Sequence, residues 1–342
     1  AYEILRCLVG AEMCIRDSDY TDPSTGKRIY KSFTATTKKE AEYMAAEYKL
    51  DGKQRTASAG DMTLKEAYTR YIDSKTNVLS PSTIREYRRS ARNDLQDIMP
   101  LKLRDITQEA VQRSINQFAA NHAPKTVRNA HGLLSAVLGV YYPSFQLSTG
   151  LPQKQKARIT IPTEAEVKAL LEAAEGTNMH QAILLAAVGT LRRSEICALT
   201  QSDVHDNGVM VNKAMVCDDN HEYVIKSTKT TAGTRFVELP KFIIDELRSI
   251  DNERVCPYSP ITISNLFRTL SLRVLGKPYR FHDLRHHSAS VLHAMGVPDL
   301  YIMQRGGWEN RDVLDKIYEH VLSDEQKDFN AKIVDRFTKS YG

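Results

Sequence analysis

Apolar residues recur at helical spacing along most of this chain, and at strand spacing in only a few short stretches. Thr63-Leu64-Lys65-Glu66 is a capping box, and Leu64, Ala67, Tyr68 and Tyr71 behind it form one apolar stripe. Ser80 as N-cap and Pro81 at the first helical position open a second helix, with Ile84, Tyr87, Ala91 and Leu95 on one face. A third helix follows Thr107 and a fourth follows Pro124. Thr163-Glu164-Ala165-Glu166 caps an amphipathic helix running to Ala174. His180 to Val188 is nearly all apolar and reads as a buried helix. Beyond Pro240 the pattern is helical to the end.

Strand signals are fewer. Ile4 to Val9 reads as one strand and Arg28 to Thr34 as another, the latter followed by a capping box at Thr37–Glu40 and a helix over Ala41 to Leu50. Ala11 to Ser18 has no clear period and reads as a poorly ordered leader. Val209 to Val216, Tyr223 to Lys226 and Arg235 to Leu239 read as three strands, with Thr231-Ala232-Gly233-Thr234 as the turn between the last two. Asp51 to Gly60 and Gly150 to Arg158 have linker composition. The expected fold class is therefore multidomain, mainly α with α+β. It comprises a small N-terminal β-sheet-plus-helix unit (1–57), an all-helical domain (61–150) and a helix-rich α+β domain (158–342).

Length and charge refine this picture. A chain of 342 residues exceeds one typical core. The net charge of +5 is only mildly basic, so its distribution matters more than its total. Residues 61–150 carry 12 Lys and Arg against 8 Asp and Glu. Within them Arg85, Arg88, Arg89 and Arg92 share a helix face, and Lys125 and Arg128 lie one turn apart on another helix. Glu86 is the one acidic neighbour in sequence able to neutralise the stripe. The face is either simply solvated or laid against a phosphate backbone. Five widely spaced Cys suit a reducing cytoplasm better than a disulfide framework. The longest apolar run, Ala182 to Val188, is too short to span a bilayer.

Candidate chemistry concentrates between Arg280 and His320. Holding and attacking a phosphodiester without a metal takes cations for the nonbridging oxygens, an in-line nucleophile and an acid for the leaving oxygen. His282 and Arg285 lie one helical turn apart. Trp308, the only Trp, offers an indole N–H, and Tyr318 is one of sixteen Tyr. Arg192 follows the apolar helix and either pairs with Glu195 or meets an anion. His282, His286 and His287 have helical spacing but no accompanying Glu or Cys, so no metal site is expected. Phosphate-binding glycine loops of the nucleotide-binding types are absent from the sequence.

In order and context, Arg-x-x-Glu at 192–195, Lys-Thr at 229–230, His-x-x-Arg at 282–285, Gly-Trp at 307–308 and Tyr-x-His at 318–320 resemble the tyrosine recombinase (lambda-type integrase) family. The resemblance covers the chain from Tyr20 onward. It implies that Arg192 and Arg285 clamp the scissile phosphate and that Lys229 protonates the leaving 5′ oxygen. His282 assists proton transfer, Trp308 donates to the phosphate, and Tyr318 attacks to form a 3′-phosphotyrosyl bond. Glu195 supports Arg192. Neither ATP, metal nor another cofactor is implied.

The resemblance further implies an arm-type DNA-binding unit at 1–57 and a helical core-site DNA-binding domain at 61–150. The latter would bind through Arg85, Arg88, Arg89, Arg92, Lys125 and Arg128, clamping duplex DNA together with the catalytic domain at 158–342. The implied partners are double-stranded DNA carrying attachment sites, a homotetramer on synapsed DNA, and an excisionase or host DNA-bending protein. The apolar stripe Phe329, Ile333, Val334 and Phe337 either packs in cis or docks on a neighbouring protomer. An integrase of a phage or conjugative element is the expectation. The alternatives are a Xer-type resolvase of chromosome dimers, a type IB topoisomerase, and a DNA-binding regulator with a decayed active site. Gly189-Thr190 reverses the Thr-Gly common in the family, and Trp308 stands where His is commoner.

Overall fold

The computed structural model describes residues 3–5, 13–21, 28–35, 37, 39–40, 42–44, 61–154, 160–227, 233–312, 314–315, 334 and 336–339. The chain divides into two compact units, Ala1–Gln155 and Lys156–Gly342. Mainly helical, it carries small antiparallel sheets.

The first unit opens with a three-stranded antiparallel sheet, β1 (Glu3–Leu5), β2 (Met13–Thr21) and β3 (Arg28–Ala35), in that order. The expected leader over Ala11 to Ser18 is thus corrected, because its larger part is the central strand. A bulge between Ser18 and Tyr20 shifts the register against β3, so no single alternation runs through the strand to betray it. Of the strand expected over Ile4 to Val9, residues 4–5 are strand and the rest lie outside the described residues. Residues 39–40 and 42–44 are helical, and the remainder of the helix expected after Thr37 also lies outside.

Four helices follow: α1 (Leu64–Ser74), α2 (Pro81–Asn93), α3 (Gln108–Ala119) and α4 (Pro124–Tyr141). The Thr63 hydroxyl accepts from the Glu66 N–H at 3.2 Å while the Glu66 carboxylate accepts from the Thr63 N–H at 2.9 Å, closing the expected box. Leu64, Tyr68, Leu103, Ile115 and Leu134 meet in a buried core, each side chain contributing about 2 kcal/mol from lost apolar exposure. Leu95 belongs to that core from beyond the helix end, in a left-handed turn with φ of 51°.

The arginine stripe on α2 is more neutralised than the local sequence suggests. Glu86 takes both Arg85 and Arg89 at 3.0 Å, but Asp73 of α1 also pairs with Arg88 at 3.3 Å. Asp94 lies 3.7 Å from Arg89. On α4, Arg128 donates twice to the Pro152 carbonyl, at 2.7 and 3.0 Å, and so fastens the following segment. Lys125 is on the same helix.

The second unit is built around α5 (Glu164–Ala174), α6 (Asn178–Ala187) and the one-turn α7 (Arg193–Ile196). Strands β4 (Val204–His205), β5 (Gly208–Val211), β6 (Lys213–Cys217), β7 (Tyr223–Ser227) and β8 (Arg235–Glu238) follow. Helices α8 (Lys241–Arg248), α9 (Pro260–Leu275), α10 (Phe281–Ala294) and α11 (Asp299–Gly306) follow the strands. The strand expected over 209–216 is two strands. β5 pairs with β8 and β6 with β7, so the run breaks at Asn212 to serve two sheets, and β7 does not pair with β8. Helix α6 is buried on nearly every side, as its unbroken apolar run requires. It packs with Ile196, Val209, Val237, Phe267 and Leu284 in one core. No helix among the described residues is long and apolar enough to cross a membrane. Val334 and Phe337 of the expected tail stripe are exposed, while Phe329 and Ile333 lie outside the described residues.

Candidate active site

The site grows from the end of α11. The last carbonyls of a helix lack intrahelical partners and carry its negative dipole end, so they attract cations. Gly307 adopts φ of 63° and stops the helix; its N–H donates to Gln304 and that of Trp308 to Met303, a Schellman ending. The three carbonyls freed there are each taken by a different arginine. Arg235 Nε donates to Arg305 O at 2.7 Å, Arg285 Nη2 donates to Gly306 O, and Arg192 Nη2 donates to Gly307 O at 2.5 Å.

Arg285 projects from the second turn of α10 and is only 1% exposed. Its second terminal nitrogen donates to Thr190 O, and its guanidinium carbon stands 3.9 Å from the centre of the Trp308 ring. Thr190 holds φ of 58°, a left-handed conformation that costs a β-branched residue about 1–3 kcal/mol. Its hydroxyl donates to Gly189 O at 2.6 Å and lies 3.1 Å from Arg305 O. The reversed Gly189-Thr190 order has a steric cause on the glycine side. A Cβ at Gly189 would meet Leu185 O at 2.7 Å and the Leu191 side chain at 2.8 Å. Gly306 is equally constrained, since a Cβ there would lie 2.0 Å from the Trp308 ring.

Arg192 is the N-cap of α7, about a third exposed, and Glu195 below it is buried. Glu195 Oε1 accepts from Arg192 Nη1 at 2.7 Å and from Arg235 Nη1 at 3.2 Å. Its Oε2 accepts from Arg235 Nη2 at 2.8 Å and from the Arg192 N–H at 2.7 Å. Burial pushes the Glu195 pKa upward, but Arg235 and then Arg192 override it and hold the carboxyl below its usual range. For Arg285, burial and then the neighbouring Arg192 pull its pKa well below the ordinary arginine value, with Glu195 opposing. The cluster is short of negative charge: among the described residues Glu195 is its one carboxylate, shared by Arg192 and Arg235, and the other hydrogen bonds of the three arginines go to carbonyl oxygens.

Arg192 and His282 open onto a cleft of about 700 Å³ also lined by Arg193, Arg268, Arg280 and Ser264. Arg280 is paired with Asp283 at 2.7 Å, and Arg193 donates to Ser264. His282 meets solvent at the cleft surface but has protein packed closely around it. That desolvation, followed by the His286 ring and the cationic Arg285, Arg192 and Arg280, lowers its pKa to about 3, leaving a neutral imidazole. His286 stacks edge-on at 4.8 Å and is itself lowered to about 4, chiefly by burial. His287 Nδ1 donates to Pro162 O at 2.9 Å and faces another side of α10.

The structure therefore brings together Arg192, Glu195, His282, Arg285 and Trp308, five of the residues singled out in the sequence. Lys229 and Tyr318 lie outside the described residues. Arg235 escaped notice. Its signal was its phase, since it alternates with Val237 and Leu239 on the buried side of a strand, where an arginine needs a reason.

This constellation agrees with the comparisons to known proteins. Residues 162–325 match the model of the phage integrase family. That stretch is a tyrosine recombinase domain of this family. The second unit of the chain thus contains the catalytic domain of a DNA-cleaving and religating enzyme. A "Tyrosine recombinase XerC-like" protein of Caldanaerobacter subterraneus subsp. tengcongensis is 25% identical, over 91% of this chain and 93% of its own. Among solved structures, the Tn1549 transposon integrase in complex with transposon right end DNA superimposes with a TM-score of 0.64. It is 17% identical and covers 78% of this chain and 99% of its own. A lambda integrase dimer bound to a COC′ core site gives a TM-score of 0.59 at 17% identity, covering 93% of this chain and 94% of that one. At such identities these two speak for the fold.

Proposed function

We propose that this recombinase is an integrase that inserts and excises a mobile genetic element at specific DNA sites. The observation that carries the reading is the carboxylate-poor arginine cluster at the end of α11, which leaves cationic charge facing a cleft. Arg192 and Arg285 take the scissile phosphate through forked contacts that a lysine would not reproduce. Trp308 donates its indole N–H to the same group. His282 takes the proton-transfer position and helps activate the nucleophile. Lys229 protonates the 5′ leaving oxygen. The Tyr318 phenolate oxygen attacks phosphorus, the P–O5′ bond breaks, and a 3′-phosphotyrosyl bond forms. Attack by a 5′ hydroxyl of another strand reverses the step without ATP.

Residues 1–57 bind arm-type sites and 61–150 the core site, and both fall in the unit that ends at Gln155, apart from the catalytic part of the chain. Arg85, Arg88, Arg89, Arg92, Lys125 and Arg128 are the proposed backbone contacts. Among the structurally similar proteins is a lambda integrase tetramer bound to a Holliday junction. This chain is proposed to work likewise as a tetramer on two duplexes, with exposed Val334 and Phe337 seated on a neighbouring protomer. The XerC-like relative favours a second reading, resolution of chromosome dimers. The N-terminal sheet favours the integrase.

Nicked suicide duplexes carrying candidate attachment sites decide the chemistry. Wild-type protein should form a covalent adduct on a denaturing gel, and Tyr318→Phe should form none. An adduct that persists in the Phe variant removes Tyr318 as nucleophile. Recombination of element-end sites, but not chromosomal dimer-resolution sites, separates integrase from resolvase.

A further inference from the structure

Arg235 is the arginine of the cluster to which the proposed chemistry gives no part. It does not line the cleft, and its side chain is 4% exposed. It nevertheless makes more contacts with Glu195 than Arg192's guanidinium does. Both of its terminal nitrogens reach the carboxylate, at 2.8 and 3.2 Å, against one from Arg192 at 2.7 Å. Its Nε is anchored on Arg305 O, the helix-end carbonyl next to the one that holds Arg285.

A carboxylate beside a lone phosphate-binding arginine would orient that arginine but also cancel its charge. A buried ion pair is close to electrically neutral, and an anionic substrate gains little from it. Here one negative charge is divided between two guanidiniums. We propose that Arg235 is a positioning residue for Arg192: it serves as the counter-ion of Glu195, so that Glu195 orients Arg192 without neutralising it. The proposal rests on the reading of Arg192 as a ligand of the scissile phosphate.

Removing Arg235 leaves Glu195 with Arg192 alone. The two then close into a neutral pair, and Arg192 is drawn back from the phosphate. Removing the Glu195 charge as well should release Arg192 again. A residue that only filled space or tied the Arg305 and Gly233 carbonyls would show no such recovery, because the second change adds no packing and no donor to either carbonyl.

The test is single-turnover adduct formation on a nicked duplex, measured beside equilibrium DNA binding and thermal unfolding of the full chain. Arg235→Met should slow cleavage by about 100-fold, the scale of a misplaced catalytic contact, with DNA affinity nearly unchanged. Arg235→Met combined with Glu195→Gln should recover at least about tenfold of that loss, because no carboxylate remains to neutralise Arg192. Arg235→Lys, which keeps the charge but loses the fork, should stay within about tenfold of wild type. If Arg235→Met does not fold, the double variant and the Lys variant carry the test. A double variant no faster than Arg235→Met, or a Lys variant as slow as Met, overturns the proposal. Arg192→Ala is the control for the underlying reading. Should it cleave at the wild-type rate, the phosphate-ligand role of Arg192 falls and this proposal with it. Should Arg192→Ala be inactive while Arg235→Met is normal, only the present proposal falls.

Discussion

The molecule contains two groups of arginines, and they are held in opposite ways. On α2, Arg85, Arg88 and Arg89 are exposed or half-buried and are met by carboxylates: Glu86, Asp73 and Asp94. At the end of α11, Arg192, Arg235 and Arg285 are drawn inward and met mostly by main-chain carbonyls, with Glu195 the one carboxylate shared by two of them. A carbonyl fixes a guanidinium and leaves its charge in place, whereas a carboxylate fixes it and cancels the charge. The first arrangement suits a surface that exchanges its partners for phosphates and back, at a cost set by salt. The second suits a site that must present positive charge at a defined position with no rearrangement when substrate arrives.

The comparison breaks most visibly at Arg285. Arg285→Ala should abolish adduct formation by at least about 10³-fold, the scale of losing a preorganised electrostatic contact. It should also lower unfolding free energy by about 3 kcal/mol, because the Thr190 and Gly306 carbonyls lose their donor inside the protein. Single-turnover kinetics and denaturant midpoints read the two effects separately, and a fully active variant would remove Arg285 from the site. Arg285→Lys keeps the charge but cannot span both carbonyls, so a loss of roughly 10²-fold is expected, again in the cleavage step.

Gly306→Ala tests the packing beneath the cluster. The added methyl would collide with the Trp308 ring, so a destabilisation of about 1–3 kcal/mol is expected in chemical denaturation. An unchanged midpoint would mean that the ring does not lie against Gly306. Acidification gives a smaller and graded effect. His282 and His286 have folded-state values near 3 and 4, below those of the unfolded chain, so the unfolded state takes up protons first as pH falls. Their contribution is complete above about pH 6.5 and declines towards pH 4 and 3. Replacing His286 with Gln should flatten the pH dependence of melting between pH 6.5 and 4. The same slope in the variant would assign the acid sensitivity elsewhere.

The α2 stripe should respond least in stability and most in salt. Arg88→Gln or Arg89→Gln should change unfolding by less than about 1 kcal/mol. Each should weaken binding to all DNA sequences alike and reduce the slope of log affinity against log salt by about 1. An unaltered slope would mean that the replaced side chain does not meet a phosphate.

Much of this was legible in the sequence, and what was not shares one cause. Capping boxes at Thr63 and Thr163, the proline at the start of α2 and the apolar run of α6 are local signals, and each appears as a structural element at its expected place. Arg192 with Glu195, and His282 with Arg285, were visible because one turn of helix separates their members. The break at Asn212 was not visible, since both halves of that run have strand character and only their partners differ. Nor was the way the cluster is held. Arg192 finds Gly307 across 115 residues and does so through a carbonyl, which no side-chain letter encodes. Arg235 was hidden for the same reason: its charge is explained by Glu195, 40 residues away, and by the end of a distant helix.

The stacking of Arg285 on Trp308 has one further consequence. The chain contains a single tryptophan, and that residue lies 3.9 Å from the guanidinium expected to carry the substrate. Its emission is therefore an optical report from one address in the protein, free of background from other indoles. A phosphate brought against that cation alters the field across the ring, so titration with uncleavable DNA should change the emission, and stopped-flow mixing would time substrate binding without any label.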